Sequence, residues 1–254
     1  MPVYIRESEW SKFADSQILK LLEDWHIVCR ENIGEDIEIM ISSRYEHPRY
    51  RNLKGTLNFA LPNTVNGRVF FSLYLENAIN FDPVIVSHEI CHPLLKIKGL
   101  KSMRDDANIQ SNEENLLNTL CEHPLVYEEQ KKYGHSPNKM INEKATNDRR
   151  RMSRTHVRPS YKEKIMEYLV ISDSVFNAPR TLSRKIMRNA KKNNKDVYDA
   201  VTTIINEMNK KNIFDYDNNI FIKKNIIKKI SMEGKWSIRD DLVALRNLCA
   251  STSN

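Results

Sequence analysis

His88-Glu89-Ile90-Cys91-His92 is the stretch whose residue types and spacing can do chemistry. On a helix, histidines four apart lie one above the other on one face, so both rings can reach a single metal ion. Imidazole nitrogen is a good ligand for zinc. Glu89 follows His88 directly and so stands beside the ion rather than on it. There a carboxylate can take a proton from a water whose pKa the ion has lowered. The hydroxide so formed would attack a peptide carbonyl, with the ion stabilising the oxyanion. The pattern therefore implies Zn2+ as cofactor, a protein or peptide as substrate, and hydrolysis with Glu89 as general base.

A catalytic zinc site needs a third protein ligand and an open fourth position. Downstream, the chain offers Glu113, Glu114, Glu122 and His123. No histidine follows at the spacing of the His-x-x-Gly-x-x-His extension, which excludes that subclass. A glutamate from a second helix is the expected ligand, and Glu114 is the first choice. It lies far enough past His92 for a loop and a helix that folds back. Asn118, one turn further on the same face, could hydrogen-bond a ligand histidine. Glu122 and His123 are rivals at the far end of that helix. Ser111-x-x-Glu114 also reads as a capping box, in which Glu114 serves only its own helix.

The elements that must position these residues are legible in part. Trp10, Phe13, Ile18, Leu21, Leu22, Trp25 and Val28 fall at helical spacing within 8–31. Ile37, Ile39 and Ile41 alternate with polar or lesser neighbours, as in a strand. Residues 56–61 and 68–75 alternate again. Pro62-Asn63 and Asn66-Gly67 mark a turn region, so an antiparallel hairpin is predicted. Asp82-Pro83 is a helix start, with Asp as N-cap and Pro in the first turn. Gly99 is its natural stop. Pro93 should kink this helix or end it early. A helix from Ser111 should break near Pro124. After Gly134 the patterning is helical throughout, with a polar, arginine-rich stretch over 140–160. The predicted fold is α+β: a small antiparallel sheet packed on the metal-site helix, zincin-like, followed by an all-helical C-terminal region. The predicted domains are 1–135 and 136–254. The strand over 68–75 is a candidate edge on which a substrate backbone could add as a further strand.

The two motifs together, His88-Glu89-Ile90-Cys91-His92 and then Glu114-Asn115-Leu116-Leu117-Asn118-Thr119-Leu120-Cys121, resemble the ImmA/IrrE-type gluzincin peptidases. Their second motif is Glu-x-x-Ala-Asn-x-Phe-Ala. The resemblance implies His88, His92 and Glu114 as metal ligands, Glu89 as base and Asn118 as support, in a compact helix–sheet–helix core. It covers residues 80–125. Leu117, Leu120 and Cys121 depart from the family's usual Ala, Phe and Ala, and Pro93 is unusual after the second histidine.

Composition bounds the remaining possibilities. Of 254 residues, 40% are hydrophobic and 29% charged, which suits a globular protein with a real core. No apolar run is long enough to span a membrane, and the N-terminus lacks the pattern of a secretory signal. The four cysteines stand far apart, so reduced thiols and a cytoplasmic location are expected. The net charge of +7 is uneven: the first 135 residues are mildly acidic and the rest strongly basic. Arg149-Arg150-Arg151, Arg154, Arg158 and the Lys/Arg positions 184, 185, 188, 191 and 192 form basic clusters. A nucleic acid or other acidic partner for the second half is therefore the alternative reading. In it, the His-Glu-x-x-His site is vestigial or senses metal.

Overall fold

The computed structural model describes residues 5–12, 14–43, 45, 59–76, 82–107, 111–155 and 160–252. The fold is α+β, with a small mixed sheet and a helical C-terminal part. It divides into two compact units. One comprises Met1–Leu100, Val126–Ser136 and Asp240–Asn254; the other comprises Lys101–Leu125 and Pro137–Arg239. The units therefore do not follow a single cut at residue 135.

In the first unit, strand β1 (Ile5–Arg6) leads through a short 3-10 helix (Glu7–Lys12) into α1 (Ser16–Ile33). The single helix predicted over 8–31 is thus two elements. Asp15 resets the chain between them, its carboxylate accepting from the Ile18 N–H at 2.8 Å as an N-cap. Strands β2 (Glu38–Ser43), β3 (Phe59–Val65) and β4 (Arg68–Leu75) follow, and the sheet order is β1-β2-β4-β3.

The β3–β4 hairpin turns at Asn66 and Gly67, both at positive φ (51° and 73°), as a two-residue hairpin turn requires. Pro62 does not turn the chain. It sits within β3, opposite Phe71, on an edge strand where a missing N–H is tolerated. Part of the strand predicted from residue 56 lies outside the described residues.

Two expectations about the sheet are corrected. It is mixed rather than antiparallel, because β2 and β4 run parallel, from Glu38 opposite Phe70 to Ser43 opposite Leu75. And β4 is not an edge: β2 and β3 occupy both its sides, so its backbone cannot accept an added strand. Its central place also explains why every residue from Val69 to Leu75 is buried, where alternation had suggested one buried face.

Helix α2 (Pro83–Ile97) packs against β3, β4 and α1. Asp82 caps it, accepting from the Val84 N–H at 2.9 Å, and Gly99 lies just beyond its end with φ of 100°. Pro93 neither ends nor shortens the helix. A proline there removes one i→i−4 bond, to the Glu89 carbonyl. Burial of Ile90, Leu94, Leu95 and Ile97 holds the turns on either side. The Trp25 indole N–H donates to the Ile37 carbonyl at 2.6 Å, and its ring meets Phe71 edge-on at 5.2 Å, closing the core around Ile39, Ile41 and Leu73.

His26 on α1 bridges Glu7 and Asp36, with Arg30 also on Asp36. The hydrogen bond to Glu7, ahead of the opposing effect of burial, pushes the His26 pKa up to about 8. A histidine raised above its unfolded value stabilises fully below about pH 6.5, and the contribution fades as pH rises through about 8. The pair is partly solvated, so screening leaves on the order of 1 kcal/mol. Urea melts at pH 6 and pH 9 should show this loss in the natural chain and not in His26→Gln. Equal pH sensitivity in both would contradict it.

The second unit begins with β5 (Ser102–Asp105), which pairs antiparallel with β6 (Trp236–Arg239). Its helices are α4 (Asn138–Met152), α5 (Tyr161–Asn177), α6 (Arg180–Asn193), α7 (Lys195–Met208) and α8 (Tyr216–Lys229). The region after Gly134 is therefore not wholly helical, because β6 completes a sheet that starts more than a hundred residues earlier. Two apolar clusters hold this unit. One joins Leu117, Leu120, Ile165, Leu169, Ile204 and Ile226; the other joins Ala145, Ile171, Ile186, Ala190 and Val201. The last helix, α9 (Asp241–Thr252), returns to the first unit and packs on α1, α2 and β4.

Helix α3 (Asn112–Lys132) is one continuous element of 21 residues, and the division of the chain falls within it. The break expected at Pro124 does not occur. As at Pro93, one backbone bond is lost while buried Leu120, Cys121, Leu125 and Val126 keep the helix intact. No helix among the described residues is long and apolar enough to cross a membrane.

Candidate metal centre

His88, Glu89 and His92 all sit on α2, in its buried middle. The His88 and His92 ring centroids are 4.9 Å apart, with ring planes at 87°. This is the one-turn stacking that spacing of four dictates. The last turns of α3 are fixed against this helix. Gln130 donates through Nε2 to the Val84 carbonyl at 2.7 Å and the Ser87 hydroxyl at 3.0 Å. Lys98 pairs with Glu129 at 2.5 Å. Tyr127, on the same stretch, lays its ring 5.6 Å from that of His88.

His123 is one helical turn before Tyr127 on the continuous α3 and shares its face. The ligand atoms of His88, His92 and His123 all lie within 4.8 Å of one another. His88 and His123 are buried and His92 is half-buried. Three imidazoles fit a borderline-soft divalent ion well and bring no charge of their own.

Glu89 is buried, and burial pushes its pKa up to about 8. A divalent cation beside it would draw that value back down. The carboxyl is thus in a place where holding and releasing a proton near neutral pH depends on the local charge.

The other sequence candidates are elsewhere. The Glu114 backbone N–H donates to the Ser111 hydroxyl at 3.0 Å, and its carboxylate accepts from the Asp105 N–H at 2.9 Å. The Ser111 half of the capping box is present, but the Glu114 carboxylate anchors β5 rather than capping its own helix. Asn118 clamps the same strand: Oδ1 accepts from the Met103 N–H and Nδ2 donates to the Met103 carbonyl, at 2.9 and 2.8 Å. The Glu122 carboxylate faces Lys223 at 3.1 Å. Tyr133 donates to Asp24 and His135 lies 3.6 Å from Asp15, so neither joins the cluster. Cys91 is a buried thiol, as are the other three cysteines, and none is in a disulfide.

Sequence reasoning missed what surrounds His123. Its Nδ1 lies 3.0 Å from both oxygens of Asp173 on α5. Lys144 of α4 also binds that carboxylate, and Asn177 donates to it at 2.8 Å. Burial alone would raise the Asp173 carboxyl, but the charges and hydrogen bonds of His123 and Lys144 outweigh it. They hold it well below the usual carboxylate range. Fifty residues separate the pair, and no local pattern signals such a partner.

Of the basic clusters, Arg151 is engaged with Glu167 at 2.9 Å. Helix α6 carries Arg180, Arg184, Lys185, Arg188, Lys191 and Lys192, and no acidic residue. Arg158 lies outside the described residues.

Comparison with models of known protein families, with curated proteins and with solved structures finds no match to this chain.

Proposed function

We propose that the chain is a zinc-dependent metallopeptidase of the His-Glu-x-x-His class, with His88, His92 and His123 as metal ligands. The observation that carries this reading is the convergence of three imidazole donors beside a buried glutamate. An ion held there would supply Lewis acidity and a water acidified to near neutrality. His88 and His92 set its place on α2. Glu89, one residue from the first ligand, accepts and returns the proton that hydrolysis moves. Tyr127 backs the His88 ring and limits its rotation. The class and a zincin-like packing of α2 on the sheet are what the sequence resemblance contributes. Its gluzincin ligand, Glu114, is occupied with the Asp105 N–H, so the third place goes to His123.

The test is metal content paired with proteolysis of dye-labelled casein. The purified chain should hold about one zinc, and Glu89→Gln should keep it while losing about 10²–10⁴-fold in rate, the usual contribution of a general base. Full activity in Glu89→Gln sinks the mechanism. Metal bound without any hydrolysis by the natural chain would favour the second reading, a metal-sensing regulator. The acid-free basic helix α6 supports that reading, since it suits a nucleic acid or other polyanion.

A further inference from the structure

We infer that the outer face of α6, with the exposed end of α4 alongside it, docks on the phosphate backbone of double-stranded DNA. Every residue involved lies in the second unit, so the inference does not rest on the metal centre. At about 100° per residue, Arg180, Arg184, Lys185, Arg188, Lys191 and Lys192 fall within an arc of about 140°. All six are exposed, and none is in an ion pair among the described residues. Lys191 lies over the Tyr198 ring, 5.6 Å from its centroid, which leaves its charge uncompensated. The first acids beyond the helix are taken: Asp196 accepts from the Tyr168 hydroxyl at 3.4 Å, and Asp199 pairs with Lys195 at 2.5 Å. Asn189, Asn193 and Asn194 donate to the carbonyls of Arg149, Met152 and Arg154 at 3.1, 3.2 and 2.9 Å. They hold the end of α4, with its exposed Arg150 and Arg154, alongside α6.

This charge does not serve the helix itself. Cations one turn apart repel, as 180 with 184, 184 with 188 and 188 with 192 must. Arg180 stands at the positive end of the helix, where an acid is favoured and the first turn has none. Only Lys191 and Lys192, in the last turn, suit the dipole. A polyanion supplies the missing counter-charge. An anionic membrane is the poorer partner, because a helix lying on a bilayer must free its apolar face. Here Ile186 and Ala190 are fully buried, and Leu182 and Met187 pack on the same cluster. The three arginines present forks that match phosphate. B-form DNA opens a major groove about 12 Å wide between its phosphate walls, which takes a helix, whereas the deep, narrow groove of duplex RNA does not.

Anisotropy of a labelled DNA duplex, titrated with the full chain, tests this. Affinity should fall about 10³-fold between about 50 and 200 mM salt, with a log–log slope of about −5, as about six phosphate contacts require. Arg184→Gln with Arg188→Gln should flatten that slope by about 2. Both residues are exposed and unpaired, so the fold should survive. Lys228→Gln with Lys229→Gln removes the same charge from exposed positions on α8 and should leave the slope as it was. A natural slope shallower than about −2, or equal losses from the two pairs, overturns the inference. So does binding to phosphatidylserine vesicles, or to a single strand of the same sequence, at a salt concentration where the duplex is released.

Discussion

His123→Ala is expected to strip the chain of tightly held zinc, while Glu114→Ala keeps one zinc per chain. The two residues lie on the same helix, and sequence spacing favoured Glu114. The structure separates them by what each side chain already does. Glu114 accepts from the Asp105 N–H and starts its helix on Ser111. Its removal leaves a buried N–H without that acceptor, which costs about 1–3 kcal/mol of stability and nothing in metal affinity. His123 contributes one of the three converging donors. Loss of an outer partner of a ligand costs about 10–100-fold in affinity, and loss of the ligand itself should exceed that. Fold should survive, because Asp173 keeps Lys144 and Asn177. Zinc content after dialysis and a urea midpoint for each variant decide the matter. Zinc lost from Glu114→Ala and retained by His123→Ala would return the site to the gluzincin arrangement.

How far the sequence could be read follows from which interactions are local. Asp82, Pro83 and Gly99 bound α2 correctly because capping and chain-reversal chemistry act within a few residues. Asn66-Gly67 places the hairpin for the same reason. Strands β5 and β6 were invisible. Each has four residues, too few for a period, and each depends on a partner more than a hundred positions away. Pro124 misled, and Pro93 does not end its helix early, since a local rule for helix breaking competes with burial that only the folded chain supplies. The histidine pair on α2 was legible because spacing of four is itself local. The third histidine of the group that could hold an ion was not. Choosing between Glu114, Glu122 and His123 needed Asp105, Lys223 and Asp173, three partners remote in sequence from α3 or reached across a turn.

Lys223→Met is expected to be among the most damaging single changes in the second unit, at about 3–5 kcal/mol. Lys223 of α8 is fully buried, donating to Glu122 and to the Lys101 carbonyl, each at 3.1 Å. Glu122 is 4% exposed. Methionine matches the length of the lysine stem, so packing changes little and the loss is electrostatic. It strands a carboxylate in a site where desolvation is costly and the partner cation is gone. Removing both charges together should behave differently. With Glu122→Leu added, neither charge of the pair remains, and such replacements are neutral or stabilising by about 1–4 kcal/mol. Urea denaturation of the two single variants and the double, all without metal, gives the coupling directly. If Lys223→Met alone unfolds at the natural midpoint, Lys223 and Glu122 are not the buried pair described. If the double variant is as weak as either single one, the lysine acts through shape rather than charge.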